Sequence, residues 1–210
     1  MTLCLHLRRM RVKLFGVRIS LSFWFVVFLT FGIVTSVQGQ RLILCSLLSA
    51  LIHEAGHIIL ISHFRGKPVS IYIKPCEVSI NCCCCDYNLK EDILITSAGV
   101  LFNFGFSVLL WLAGMIFDSF LISELFMCNL CIGIVNLMPL KTFDGGQLLN
   151  IVFTRFFGVK TADVILMIIT VMFIFPISVV GVYILFSSQY NFSLLFIVIY
   201  LLIMIFSKYI

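Results

Sequence analysis

The segment Leu51-Ile52-His53-Glu54-Ala55-Gly56-His57-Ile58-Ile59-Leu60 decides the fold, because it places two histidines and a glutamate inside an apolar run. An ionisable side chain at membrane depth costs about 2.5–3.5 kcal/mol, so such a residue marks a functional site by default. On a helix, residues i and i+4 lie on one face, one turn apart. The spacing therefore predicts that His53 and His57 bind one cation and that Glu54 acts on a nearby water as a general base.

The pattern His-Glu-x-x-His is typical of zinc hydrolases, in which both histidines hold the metal. The alternative is a pair of buried histidines bonded to backbone carbonyls, beside a glutamate that reaches the membrane surface. Unpaired polar groups are costly in lipid, which favours the metal site.

The composition predicts an all-α polytopic membrane protein, because 62% of the residues are hydrophobic and only 11% are charged. About 20 residues are needed for each span, so 210 residues allow about six helices in one membrane-embedded domain. The predicted spans are residues 19–37, 42–63, 91–117, 121–138, 161–185 and 191–207.

The net charge of +5 reflects membrane orientation rather than nucleic-acid binding. With six spans and a cytoplasmic N-terminus, 13 of the 14 Lys and Arg residues fall on the cytoplasmic side. Both termini are then cytoplasmic, and the metal site lies towards the cytoplasm. Residues 1–18 are predicted to lie on the membrane surface as an amphipathic lead. The first span is expected to be retained rather than cleaved as a signal peptide.

Two shorter segments carry signals of their own. Residues 69–80 alternate between apolar and polar positions around Pro75, which predicts a short β-hairpin or re-entrant strand segment. Its edge could receive an extended substrate strand, although an ordinary surface hairpin is equally compatible. The run Cys82–Cys85 is expected to hold reduced thiols, and Cys128 and Cys131 are better explained as apolar filler than as a metal site.

A catalytic zinc site usually has three protein ligands. Asp144 is the best candidate for the third, because it lies between the helix-breaking Pro139 and two glycines that allow close backbone approach. The alternative is that Asp144 caps a short helix at residues 147–157. The remaining acids considered, each a weaker candidate, are Glu77, Glu124 and Asp163.

These ligands predict amide hydrolysis, since bound zinc activates water and Glu54 can pass a proton to the leaving amine. A site within the bilayer predicts a transmembrane or membrane-attached polypeptide as substrate. A helical substrate must unwind locally before its carbonyl can be attacked.

Three motifs together resemble the site-2 protease family of intramembrane zinc metalloproteases, and they cover residues 42–150, the catalytic core of that family. The motifs are His53-Glu54-x-x-His57, Ala98-Gly99-x-x-x-Asn103 and Asn136-x-x-Pro139-x-x-x-x-Asp144-Gly145.

The resemblance implies one zinc ion held by His53, His57 and Asp144, with Glu54 as catalytic base. It also implies that Asn136 and Asn103 lie near the substrate or its oxyanion. The implied activity is hydrolysis of a peptide bond in or near the transmembrane segment of a membrane-tethered protein. The implied partners are that substrate, the lipid bilayer and a membrane regulatory protein.

The six-span layout with a basic N-terminus is most similar to the sporulation branch of the family, that of stage IV sporulation protein FB. Members of this branch cleave a membrane-tethered pro-sigma factor. Val100 departs from the Pro that usually follows the glycine, and we expect neither a PDZ nor a CBS domain.

Two other functions stay open: a metal-binding transporter or sensor, and a catalytically inactive membrane scaffold. A transporter would not need Glu54 beside His53, and a scaffold would be marked by loss of a ligand or of the base.

Overall fold

The computed structural model describes residues 10–14, 17–21, 30, 33–34, 41–64, 70–74, 77–81 and 88–187. The chain divides into two compact units, Met1–Ile134 and Val135–Ile210. The predicted sixth span at 191–207 and the run Cys82–Cys85 lie outside the described residues, as does most of the predicted first span at 19–37.

The first unit contains two long apolar helices, α1 at Leu42–Phe64 and α2 at Leu89–Gly114. Both are long and apolar enough to cross a membrane, as predicted for residues 42–63 and 91–117. The N-cap of α2 is Asn88, whose side chain accepts a hydrogen bond from the Lys90 N–H at 3.3 Å. This interaction satisfies one of the backbone donors that a helix start leaves open.

A third helix, α3 at Phe120–Asn136, is apolar but only 17 residues long. The sequence predicts a span over residues 121–138, and the helix ends two residues earlier. Pro139 lacks an N–H and disfavours helical geometry in the preceding residue, so the helix stops before it.

A four-stranded sheet also belongs to this unit, with the strands β1 Met10–Leu14, β2 Val17–Leu21, β3 Ser70–Lys74 and β4 Glu77–Asn81 in that order. The outer pairs are antiparallel, and β2 pairs in parallel with β3, with Arg18 opposite Ser70. The β2–β3 pairing requires residues 17–21 and 70–74 to lie on the same side of the membrane.

The sheet corrects two predictions. Residues 10–14 and 17–21, predicted as part of an amphipathic surface lead and the start of a span, are strands. The structure is mostly helical, as predicted, but it also contains a four-stranded sheet, whereas the sequence predicted only a short hairpin or re-entrant strand at residues 69–80. The pairing partner of β2 lies far along the chain, so no local pattern in residues 1–21 could reveal it.

In the second unit the structure describes the helices α4 at Asp144–Phe157 and α5 at Val159–Ser187, which are joined at Gly158. The segment Val159–Tyr183 is the third candidate span among the described residues, and Pro176 lies inside this helix. The buried core of the unit joins Leu140, in the loop before α4, to Ile174 on α5. This loop therefore packs on α5 through its own side chains.

Candidate metal centre

The two histidines of the first unit face each other from successive turns of α1. Their Nε2 atoms are 3.3 Å apart, and the rings lie nearly perpendicular at 80° with centroids 5.0 Å apart. His53 is buried and His57 is partly buried. The i, i+4 spacing thus brings two imidazole nitrogens to one point, as the sequence predicted.

The neighbouring helix sets the ring orientation of His57. Its Nδ1 lies 2.8 Å from the backbone carbonyl oxygen of Ile95 on α2. A carbonyl oxygen only accepts, so Nδ1 carries the proton and donates it. The lone pair of Nε2 is then left for a metal, which is the arrangement seen around metal-binding histidines.

Gly99 on α2 keeps the space beside both rings open. A Cβ atom added there would lie 2.6 Å from His53 Nε2 and closer still to His57 Nε2. Any side chain at residue 99 would therefore occupy the place towards which both nitrogens point.

This geometry fits a metal ion. Two nitrogens about 2.0–2.1 Å from a tetrahedral zinc are about 3.3 Å apart, which matches the distance between the two Nε2 atoms. The proton on His57 Nδ1 leaves the Nε2 lone pair for the metal, and the absence of a side chain at Gly99 leaves space for the ion beside both rings.

Two further predicted residues belong to the first unit. Glu54 follows His53 on α1 and is partly buried. Asn103 lies one turn beyond Gly99 on α2 and is completely buried. Neither atom of its side-chain amide has a hydrogen-bond partner within the part of the chain that the structure describes. A buried amide of this kind is costly unless something else supplies its partners.

The second unit holds Asn136 and Asp144. Asn136 is the last residue of α3, and Asp144 is the first residue of α4 and is buried. Phe143 is the N-cap and makes no side-chain cap bond, so Asp144 is not the capping residue that the alternative required. Its negative charge in the first turn is favourable to the helix dipole.

The remaining acids and cysteines that the sequence offered as weaker candidates have other surroundings. Asp163 forms an ion pair with Lys141, and Glu124 lies on α3. Cys131 is exposed, and Cys128 Sγ lies 3.6 Å from Ser46 Oγ. The sequence gives no signal for the Ile95 carbonyl as a partner of His57, because every residue has a backbone oxygen.

Comparison with known proteins identifies a related fold. Residues 117–179 match the model of peptidase family M50, a part of the chain that contains Asn136 and Asp144. The structure is similar to that of a site-2 protease from Methanocaldococcus jannaschii, with a TM-score of 0.66 and 21% sequence identity over 92% of each chain. No curated protein sequence matches. The chain therefore has the fold of a site-2 protease.

Proposed function

We propose that this chain is an intramembrane metalloendopeptidase that cleaves a membrane-tethered polypeptide. The observation that carries the proposal is the pair of Nε2 atoms on an apolar helix. They are 3.3 Å apart and lie beside the space that the missing side chain of Gly99 leaves open. The M50 match and the site-2 protease fold support the same class of enzyme.

The ligands that we propose are His53, His57 and Asp144, the set that the sequence motifs imply. Two imidazoles and one carboxylate leave an open position, as in other catalytic zinc sites. Mixed nitrogen and oxygen ligands favour zinc in this setting, and we propose one Zn²⁺ per chain. When bound, such an ion lowers the pKa of water and polarises a carbonyl.

Four residues of the chain are proposed to supply the proton transfer, the ring orientation, the oxyanion contact and the substrate contact. Glu54 takes the proton of the attacking water and passes it to the leaving amine. His57, oriented through Ile95, holds its ring in one tautomer throughout. Asn103 offers a buried amide whose donor can meet the developing oxyanion. Asn136, which ends α3, is proposed to contact the substrate backbone.

The finer features of the proposal come from the sequence. The substrate is a membrane-tethered regulatory protein, of which a sporulation pro-sigma factor is one example, acted on in regulated intramembrane proteolysis. Both termini and the metal site are assigned to the cytoplasmic side from the charge distribution. A membrane regulatory protein that controls access is the proposed partner, and we propose no nucleic-acid partner. The chain is proposed to act as one membrane-embedded domain.

The inactive scaffold and the transporter or sensor are less well supported. Both ligand histidines and Glu54 are present, and no ligand or base is lost. The fifth predicted span, which is α5, has no charged residue after Asp163, whereas a transport path would need more polar groups along its length.

Co-expression with single-span membrane substrates tests the proposal, comparing the wild type with Glu54→Gln. The glutamine keeps the shape of the side chain but cannot accept a proton. We expect cleavage to fall at least about 100-fold while metal content stays unchanged. Equal cleavage by both proteins would contradict the role of Glu54, and binding of metal without cleavage of any substrate would favour the scaffold.

A further inference from the structure

The loop at residues 137–143, which precedes α4, is bonded to α5 through Lys141, three residues before Asp144. The Lys141 Nζ atom pairs with Asp163 Oδ1 at 2.7 Å. The backbone N–H of the same residue donates to Thr170 Oγ1 at 3.0 Å. One residue of the loop is thus bonded through both its side chain and its backbone to a single helix.

Thr170 is suited to receive this hydrogen bond. Its side chain is only 1% exposed, and its hydroxyl donates to the Leu166 carbonyl at 2.7 Å. The hydroxyl proton is therefore in use within α5, and the oxygen is left as an acceptor for Lys141. A backbone N–H in this apolar setting is costly to leave without an acceptor, so the bond resists opening.

The contact continues along the same stripe of α5. Asp163, Leu166, Thr170 and Ile174 are spaced three or four residues apart and share one face of the helix. Ile174 packs against Leu140, the loop residue that precedes Lys141. An ion pair, a hydrogen bond and an apolar contact thus hold the loop against α5.

The backbone of the same loop also lies against the start of α4. A Cβ atom on Gly146 would overlap the Leu140 carbonyl, so the first turn of α4 lies directly against the loop backbone. Asp144 is the first residue of that turn. A shift of the Leu140–Lys141 backbone would therefore shift Asp144, because no flexible side chain separates the two segments.

We propose that Thr170 and Asp163 are positioning residues of the metal site. They hold the Leu140–Lys141 backbone against α5, and this backbone sets the position of the Asp144 carboxylate. The inference rests on the proposed function, since it takes Asp144 as a metal ligand.

The test measures Co²⁺ binding by the purified full chain in detergent, using absorption spectra and competition by Zn²⁺. Thr170→Val keeps the shape of the side chain and removes the acceptor, whereas Thr170→Ser keeps the hydroxyl. Ser178→Ala is the matched control, because the Ser178 hydroxyl bonds only the Phe175 carbonyl of its own helix at 2.6 Å among the contacts described. Asp163→Asn removes the charge that holds Lys141.

We expect Thr170→Val to bind Co²⁺ about 10-fold more weakly, with altered absorption bands, because the ligand carboxylate moves. Thr170→Ser and Ser178→Ala should match the wild type, and Asp163→Asn should show a smaller loss. Wild-type affinity and spectrum in Thr170→Val would overturn the inference, as would equal losses in Thr170→Val and Thr170→Ser.

If Thr170→Val does not fold, Asp163→Asn decides: weakened binding at an unchanged melting temperature supports the inference, and unchanged binding overturns it. Equal Co²⁺ binding by the wild type and by His53→Ala would instead contradict the metal site of the proposed function. The inference would then fall with it, and the two failures would be told apart by that variant.

Discussion

His57 on α1 and Ile95 on α2 are joined by a hydrogen bond of 2.8 Å, from the ring Nδ1 to the backbone carbonyl. The bond ties a candidate metal ligand to a neighbouring helix that contributes no ligand of its own. The carbonyl belongs to a helix backbone, so it is held more rigidly than a side chain would be. The orientation of the ring is consequently a property of how α1 packs on α2.

Substitution of Gly99 by Ala should weaken metal binding strongly without unfolding the protein. The added Cβ would meet both Nε2 atoms and push the rings apart. We expect affinity for Zn²⁺ to fall about 100-fold, the upper range for disturbed ligand orientation. Gly105→Ala on the same helix is the control, because a Cβ there meets no atom within 4 Å. Metal titration of both variants checks the prediction, and equal affinities would contradict it.

Asp144→Asn should weaken metal binding and cleavage together, because an amide oxygen carries no charge to hold the cation. We expect at least about 100-fold weaker binding on loss of one of three ligands. Asp118→Asn is the matched control, since Asp118 is exposed in the connection between α2 and α3. Metal content after dialysis against a weak chelator measures the difference. A metal content equal to that of the control would remove Asp144 from the ligand set.

Asn103→Leu should separate activity from stability. The amide makes no hydrogen bond within the described part of the chain, so an apolar side chain of similar size loses no internal bond. We expect the melting temperature to hold or rise, and kcat to fall about 100-fold if the amide meets the oxyanion. Metal affinity should not change. A large loss of stability with normal kcat would show that the residue is structural.

Ser49 on α1 and Asn129 on α3 should be energetically coupled. Asn129 Nδ2 donates to Ser49 Oγ at 2.9 Å, and both residues are fully buried. A double-mutant cycle with Ser49→Ala and Asn129→Ala, read from unfolding in detergent, should give a coupling of about 0.6 kcal/mol. Ser62→Ala replaces Ser49→Ala in the control cycle, since the Ser62 hydroxyl bonds the Ile59 carbonyl of its own helix. That control should show no coupling to Asn129.

The sequence by itself determined the features that depend on neighbouring residues. Hydropathy over about 20 residues predicted α1 and the long helices α2 and α5, because lipid requires apolar side chains and an internally bonded backbone. The four-residue spacing placed His53 and His57 on one face, because a helix turns once in 3.6 residues. Pro139 similarly predicted the end of α3 from the local chemistry of the chain.

Only the tertiary structure decided which distant groups meet. The Ile95 carbonyl beside His57, the Thr170 hydroxyl beside Lys141 and the pairing of β2 with β3 each join segments well separated in sequence. No local periodicity encodes such contacts, since they arise when whole helices and strands pack. The sequence therefore supplied the candidate ligands, whereas the packing of their neighbours set the tautomer of His57, the open space beside Gly99 and the anchoring of the loop before Asp144.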